Sequence, residues 1–173
     1  MKTSTLLAAA MTAAAGVSAS GALAQPLAAA ETKVLSITGA YIGTARFTQT
    51  PDGVRIQLEA TGLPPGEKGV AFHETGSCNP LSAFGSAQRH LGADLAAHGA
   101  HLGDLPNQRV GEDGTLRIDL IAPKVSLTAS GAGALLDENE SALVVGSKRD
   151  DGKTDPDGGV GQPLACALVT RAT

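Results

Sequence analysis

Hydrophobic and polar positions alternate with a period of two along the early part of the chain. From Lys33 onward, Val34, Ser36 and Thr38 alternate with Leu35, Ile37 and Gly39, the spacing that sends successive side chains to opposite faces of a strand. Strand-like stretches follow at Ile42 to Thr50, Gly53 to Glu59 and Gly69 to His73. Pro51-Asp52-Gly53 and Pro64-Pro65-Gly66 punctuate them; proline presets φ and glycine accepts the positive φ of a tight turn. The pattern returns at Gly114 to Ile121, after an Asp113-Gly114 turn, at Ser141 to Val145 and at Leu164 to Val169. Short strands spaced about ten residues apart with such turns predict an all-β antiparallel sandwich or barrel. Two stretches break the rhythm: Gly76 to Arg109, and a glycine-rich, charged segment from Gly146 to Gln162. A loop as long as the first is uncommon in a compact domain unless it carries function or is pinned. The pattern shows no internal repeat and no domain boundary.

The N-terminus reads differently. Lys2 precedes an apolar, alanine-rich run from Leu6 to Val17, and Ala22-Leu23-Ala24 supplies the small-x-small pattern of a cleavage site before Gln25. Residues 1–24 are therefore expected to be a signal peptide, with a frayed alanine-rich helix as the alternative. Thr12, Gly16 and Ser18 interrupt the run, which falls short of the ~20 apolar residues a bilayer span needs. Residues 25–32 read as a short flexible lead and 33–173 as one domain, in a protein exported to the periplasm or secreted.

Composition narrows the function classes. The net charge is −4, and the chain has one tyrosine, three phenylalanines and no tryptophan. Neither a basic footprint for a phosphate backbone nor an aromatic platform for unpaired bases is available, so nucleic acid is excluded as a partner. Cys78 and Cys166 are the only cysteines. In an oxidising compartment a lone pair argues for a disulfide; two separate buried thiols are the alternative.

Four histidines are present, and three fall in the first long loop. In chain order the candidate metal ligands are His73, His90, His98, His101 and Asp104. The sharpest piece is His101-Leu102-Gly103-Asp104-Leu105-Pro106. An imidazole and a carboxylate three residues apart can face one ion when glycine permits a tight turn, and zinc accepts such nitrogen and oxygen ligands in tetrahedral geometry. Spacing alone leaves open a chance clustering of surface histidines.

At these residues the chain resembles the bacterial copper–zinc superoxide dismutases. Gly69 to Cys78, ending in His73-Glu74-Thr75-Gly76-Ser77-Cys78, is similar to the copper-ligand strand of that family. Arg89-His90-Leu91-Gly92 and the His101 to Pro106 run are similar to its zinc loop. Gly62-Leu63-Pro64-Pro65-Gly66, Asp113-Gly114-Thr115 and Leu164-Ala165-Cys166 match its turns and its disulfide strand. The resemblance implies an eight-stranded Greek-key β-barrel with two long loops and a Cys78–Cys166 bridge.

The same resemblance marks departures. Of the four histidines that hold copper in the family, one carries over onto His73. The others fall on Ala71, on or near Ser86 (the histidine that bridges to zinc), and on Gly146. The arginine that attracts superoxide falls on Pro163. The zinc ligands carry over onto His90, His101 and Asp104, with either His98 or water completing the shell. The aspartate that orients ligands from the last loop falls on Asp150 or Asp151. The expected cofactor is therefore zinc and not copper, and the expected protein is a non-catalytic metal-binding or structural one whose protein partner the sequence does not name. The alternative is a working dismutase, converting superoxide to oxygen and hydrogen peroxide, that recruits His98, Glu74 or Asp94 to an unorthodox copper site. A scaffold domain without metal is a third reading.

Overall fold

The computed structural model describes residues 29–171. The expected signal peptide and residues 25–28 of the expected lead lie outside them. Nine antiparallel strands form one sheet: β1 (Ala29–Ser36), β2 (Tyr41–Thr50), β3 (Gly53–Ala60), β4 (Gly66–Lys68), β5 (Val70–His73), β6 (Gln108–Val110), β7 (Leu116–Ala122), β8 (Ser141–Gly146) and β9 (Pro163–Val169). Their order is β4-β6-β7-β3-β2-β1-β9-β8-β5. The two end strands are consecutive in the chain and joined by Gly69, so the sheet curls into a nearly closed barrel. Besides that link between the sheet's two ends, three connections cross between strands that are not neighbours (β3 to β4, β5 to β6, β7 to β8), which gives the Greek-key connectivity. No helix among the described residues is long and apolar enough to cross a membrane.

The expected eight strands become nine because of Gly69. Its N–H donates to Lys148 O at 2.8 Å, and its carbonyl accepts from Gly146 N–H at 2.9 Å. The chain therefore turns from one end of the sheet to the other there, and one strand is split into β4 and β5. β6, three residues long, lies where the sequence shows no alternation. The lead also shortens. Glu31 pairs with Arg46 and Ala29 with Thr48, so Ala29 to Thr32 belong to β1; without them the ten-residue β2 would expose an unpaired edge. Besides the two expected long loops there is a third long connection, residues 123–140.

Alternation sorts the side chains as the pattern requires. Val54, Ile56, Leu58 and Ala60 of β3 point inward, and Leu116, Ile118 and Ala122 of β7 join them. Phe47 and Phe72 meet in this core with ring centroids 5.9 Å apart. β8 is buried along its whole length because it is covered on both faces. Leu143 and Val145 face the barrel core. Ala142 and Val144 face outward into a second, smaller cluster with Phe84, Ala87 and Cys166. The Cys78–Cys166 disulfide is formed, with a Cα–Cα distance of 5.7 Å, and ties the first long loop to the outer face of β9.

Candidate metal centre

On β5, Val70 and Phe72 turn into the core, which leaves Ala71 and His73 on the outer face. The first long loop is stitched along this strand. Phe72 N–H donates to Gly103 O (2.9 Å), Leu91 N–H to Phe72 O (2.8 Å), Gly103 N–H to Leu91 O (2.9 Å) and Leu105 N–H to Val70 O (3.2 Å). Gly103 sits so close that a Cβ there would overlap the carbonyl oxygen of Phe72. That close approach is why glycine stands between His101 and Asp104, and it brings both back toward His90.

Asp104 divides its two oxygens between two tasks. Oδ2 accepts the backbone N–H of Gly99 (2.9 Å) and of His101 (3.0 Å), which shapes the loop. Oδ1 faces three imidazoles, with Nδ1 of His90 at 2.8 Å, of His101 at 3.3 Å and of His98 at 3.8 Å. The four candidate ligand atoms lie within 4.8 Å of one another. The three rings meet edge to face, with centroids 5.2–5.7 Å apart, and all three histidines are buried. Nδ1 of His98 and Nδ1 of His101 are buried without a hydrogen-bond partner. Such atoms are rare because burial strips their water at a cost of ~1–3 kcal/mol each. A cation among them would use both lone pairs.

The protons are set by what surrounds the rings. Burial works against protonating His98, but its hydrogen bond to Asp150 and the charges of Asp104, Asp150 and Asp151 outweigh burial and raise its pKa. Burial lowers the pKa of His90, and the hydrogen bond to Asp104 offsets this only in part. Burial also opposes the charge on Asp104, yet the His90 hydrogen bond and the neighbouring imidazoles bring its pKa down. His73 is held neutral, its pKa lowered to about 4 by burial and by His90.

The candidate residues named from sequence separate into three groups. His90, His98, His101 and Asp104 come together. His73 stands outside that group; its Nδ1–H donates to Gln88 O at 2.8 Å, and its ring lies 4.9 Å from that of His90. Asp150 reaches the group through His98 Nε2 at 2.8 Å. Asp151 does not. Its carboxylate accepts from Lys153 N–H, Thr154 N–H and Thr154 Oγ1–H, so it closes a turn of its own loop and touches no ligand.

The placing of the bridging position on Ser86 is corrected. Ser86 Oγ bonds Ser77 Oγ at 2.9 Å and accepts Asn79 N–H at 3.3 Å, in a short 3-10 turn at Gly85–Ala87. His90 is the residue that lies between His73 and the cluster. The slip of four residues falls in a stretch without strand periodicity, where spacing fixes no register. His98 and His101, both in the first long loop, complete the group around Asp104. Asn107 carries no sequence signal for a role at this site. Its amide donates to Asp150 O at 2.9 Å and its Oδ1 accepts Asp150 N–H at 2.8 Å.

Comparison with known proteins agrees with this architecture. Residues 41–169 match the family model described as copper/zinc superoxide dismutase. The chain is 40% identical over 139 residues to a superoxide dismutase [Cu-Zn] of Caulobacter vibrioides, covering 76% of this chain and 79% of that one. It is 36% identical over 143 residues to superoxide dismutase [Cu-Zn] 1 of Aquifex aeolicus, covering 79% and 84%. Among solved structures, a SOD-like protein from Bacillus subtilis superposes with a TM-score of 0.75 at 30% identity, over 81% of this chain and 97% of that one. The chain belongs to the copper/zinc superoxide dismutase family.

Proposed function

We propose that this protein is an exported superoxide dismutase-like barrel that holds one zinc ion and does not catalyse dismutation. The observation that carries this reading is the convergence of three Nδ1 atoms on Asp104 Oδ1, two of them buried without a partner. Two or three imidazoles and a carboxylate are a donor set that zinc accepts. His90, His98, His101 and Asp104 hold the ion; Asp150 accepts the Nε2–H of His98 and so keeps its Nδ1 lone pair turned inward. Bound zinc supplies a fixed positive charge that pins the first long loop against β5 and, through Asp150, the last loop against the first. It has no redox couple with which to turn over superoxide.

The residues around His73 do not fit copper. Copper(II) favours nitrogen-rich tetragonal sites, and only His73 and His90 bring imidazoles to this place. Ala71 on β5 and Gly146 on β8 share the outer face with His73 and carry no donor atom. Pro163, at the start of β9, offers no cation to draw in an anion. The disulfide supports an oxidising compartment.

Two measurements test the proposal. Elemental analysis of the natively purified protein is expected to find one zinc per chain. A dismutase assay with excess copper is expected to show no rate beyond that of the added copper. Protein-bound dismutation in that assay would overturn the non-catalytic reading.

A further inference from the structure

The last loop returns to the barrel at Val160, and this return shapes the space beside His73. A Cβ on Gly146 would stand 2.6 Å from Val160 Cβ and 2.9 Å from Val160 O. A Cβ on Gly69 would overlap Val160 Cγ1. Gly146 does not have a positive φ, so space and not backbone conformation demands glycine there. The segment is held in place from β8 onward: Lys148 N–H donates to Val160 O at 2.8 Å, and Ser147 Oγ–H reaches the same oxygen at 3.3 Å. Gly146 and Val160 line a cavity of ≈ 320 Å³ together with His73 and His90.

We propose that Val160 is a plug that restricts this chain to one metal ion. It fills the volume in which a donor side chain from position 146 would have to stand, so no second ion beside His73 and His90 gains a ligand from β8. The inference rests on the zinc-only reading and goes further, because it makes the lost ligand position a packed one. Returning imidazoles to the outer face therefore does not by itself rebuild a copper site. A side chain at 146 must displace both a valine and the backbone carbonyl behind it, and overpacking of that kind moves side chains off their rotamers and shifts backbone.

Two experiments on the full zinc-loaded protein test the plug. In the first, thermal unfolding is followed for Gly146→Ala, Val160→Gly and the double variant. Gly146→Ala is expected to lower Tm by about 5 °C or more, and to lower it less when Val160 is already glycine. An unchanged Tm on Gly146→Ala, or the same loss in both backgrounds, overturns the proposal. In the second, copper(II) uptake is measured by equilibrium dialysis and electron paramagnetic resonance for Ala71→His/Gly146→His, with and without Val160→Gly. Copper is expected to bind tighter by about tenfold or more once Val160 is removed, the size of effect that overpacking produces. Equal affinities with and without Val160 overturn the plug and leave the zinc-only reading of the unaltered chain standing. Tight copper uptake beside His73 by the unaltered, zinc-loaded chain overturns that reading itself.

Discussion

Nε2 of His98 lies 2.8 Å from Oδ1 of Asp150, across 52 residues of sequence. With the hydrogen bonds of Asn107 to Asp150 and of His98 N–H to Asp155, this contact joins the first long loop to the last, and it settles the tautomer of a buried imidazole. A carboxylate only accepts, so His98 donates through Nε2 and keeps Nδ1 free to face Asp104. Asp150 also receives Gly152 N–H on the same oxygen, at 2.6 Å, so its charge is directed at both loops.

Zinc affinity should fall as pH drops. Against the pull of burial, the hydrogen bond to Asp150 and the nearby carboxylates raise the pKa of His98 above the ordinary 6.5. In the metal-free protein its protonated form adds stability that is fully present below the unfolded value and is lost as pH rises through the folded one. Zinc needs the neutral ring and must displace that proton. The apparent affinity, from competition with a chromophoric chelator, should therefore begin to decline at a pH above the ordinary histidine value and fall further as pH drops. Asp150→Asn removes the hydrogen-bonded carboxylate, one of the causes that raise the His98 pKa, and should move the onset of the decline to lower pH. An affinity that is flat across the histidine range would remove His98 from the ligand set.

Asn107 should act on zinc only through Asp150. It grips the backbone of Asp150 from both sides, as donor and as acceptor, without touching a ligand of its own. Asn107→Ala should weaken zinc binding by about tenfold, as loss of a supporting hydrogen-bond partner does at other metal sites. The informative comparison is a double-mutant cycle. With Asp150→Ala already present, Asn107→Ala should change zinc affinity little further. An undiminished second loss would mean that Asn107 supports the site by another route.

How far the sequence reaches is visible in particular residues. Gly53 to Glu59 alternates cleanly because one face of β3 is buried and the other wet, and the structure extends it by one residue. β4 and β6 pair over three residues each, too few for any period to show. His101, Gly103 and Asp104 are legible because their geometry is local. His98 is legible only as one of two candidates for the fourth position, with water the other, since its partner Asp150 comes from a loop whose approach depends on closure of the whole barrel. Asp150 and Asp151 are equivalent as a dipeptide. Only the fold shows that the first faces His98 and the second caps Thr154.

Reduction of the Cys78–Cys166 bridge should cost stability and loosen the metal site together. The two cysteines are 88 residues apart, and closing a loop of that length contributes up to about 4.5 kcal/mol in the chain-entropy model. The bridge also anchors the segment that leads to His90. Denatured, unreduced protein should show no free thiol. Reduced protein should unfold at lower denaturant, with a steeper slope because the denatured chain without its cross-link exposes more surface, and bind zinc more weakly. Unchanged zinc affinity after reduction would mean that the stitching of the loop to β5 holds His90 without help.

Substitutions at the cluster should separate ligands from neighbours. Asp104 is the centre of the arrangement, so Asp104→Ala should abolish zinc binding, but it also removes the acceptor that shapes the loop at Gly99 and His101. Asp104→Asn is the sharper probe. Its side-chain carbonyl can still accept those two backbone N–H groups, while the negative charge facing the three imidazoles is gone. The fold should persist, seen in an unchanged far-ultraviolet spectrum, and zinc should be lost. His101→Ala and His98→Ala each remove a buried nitrogen that has no other partner. Both should weaken zinc strongly. In the metal-free protein His101→Ala should cost less than a core truncation does, because it relieves an unsatisfied polar atom while opening a cavity, whereas His98→Ala should cost more because it also takes the partner of Asp150. His73→Ala should leave zinc binding nearly intact, since the Nδ1 of His73 is engaged with Gln88 and its ring lies on the far side of His90. Retained zinc in Asp104→Asn and His101→Ala, with loss in His73→Ala, would move the metal from the loop cluster to the outer face of β5.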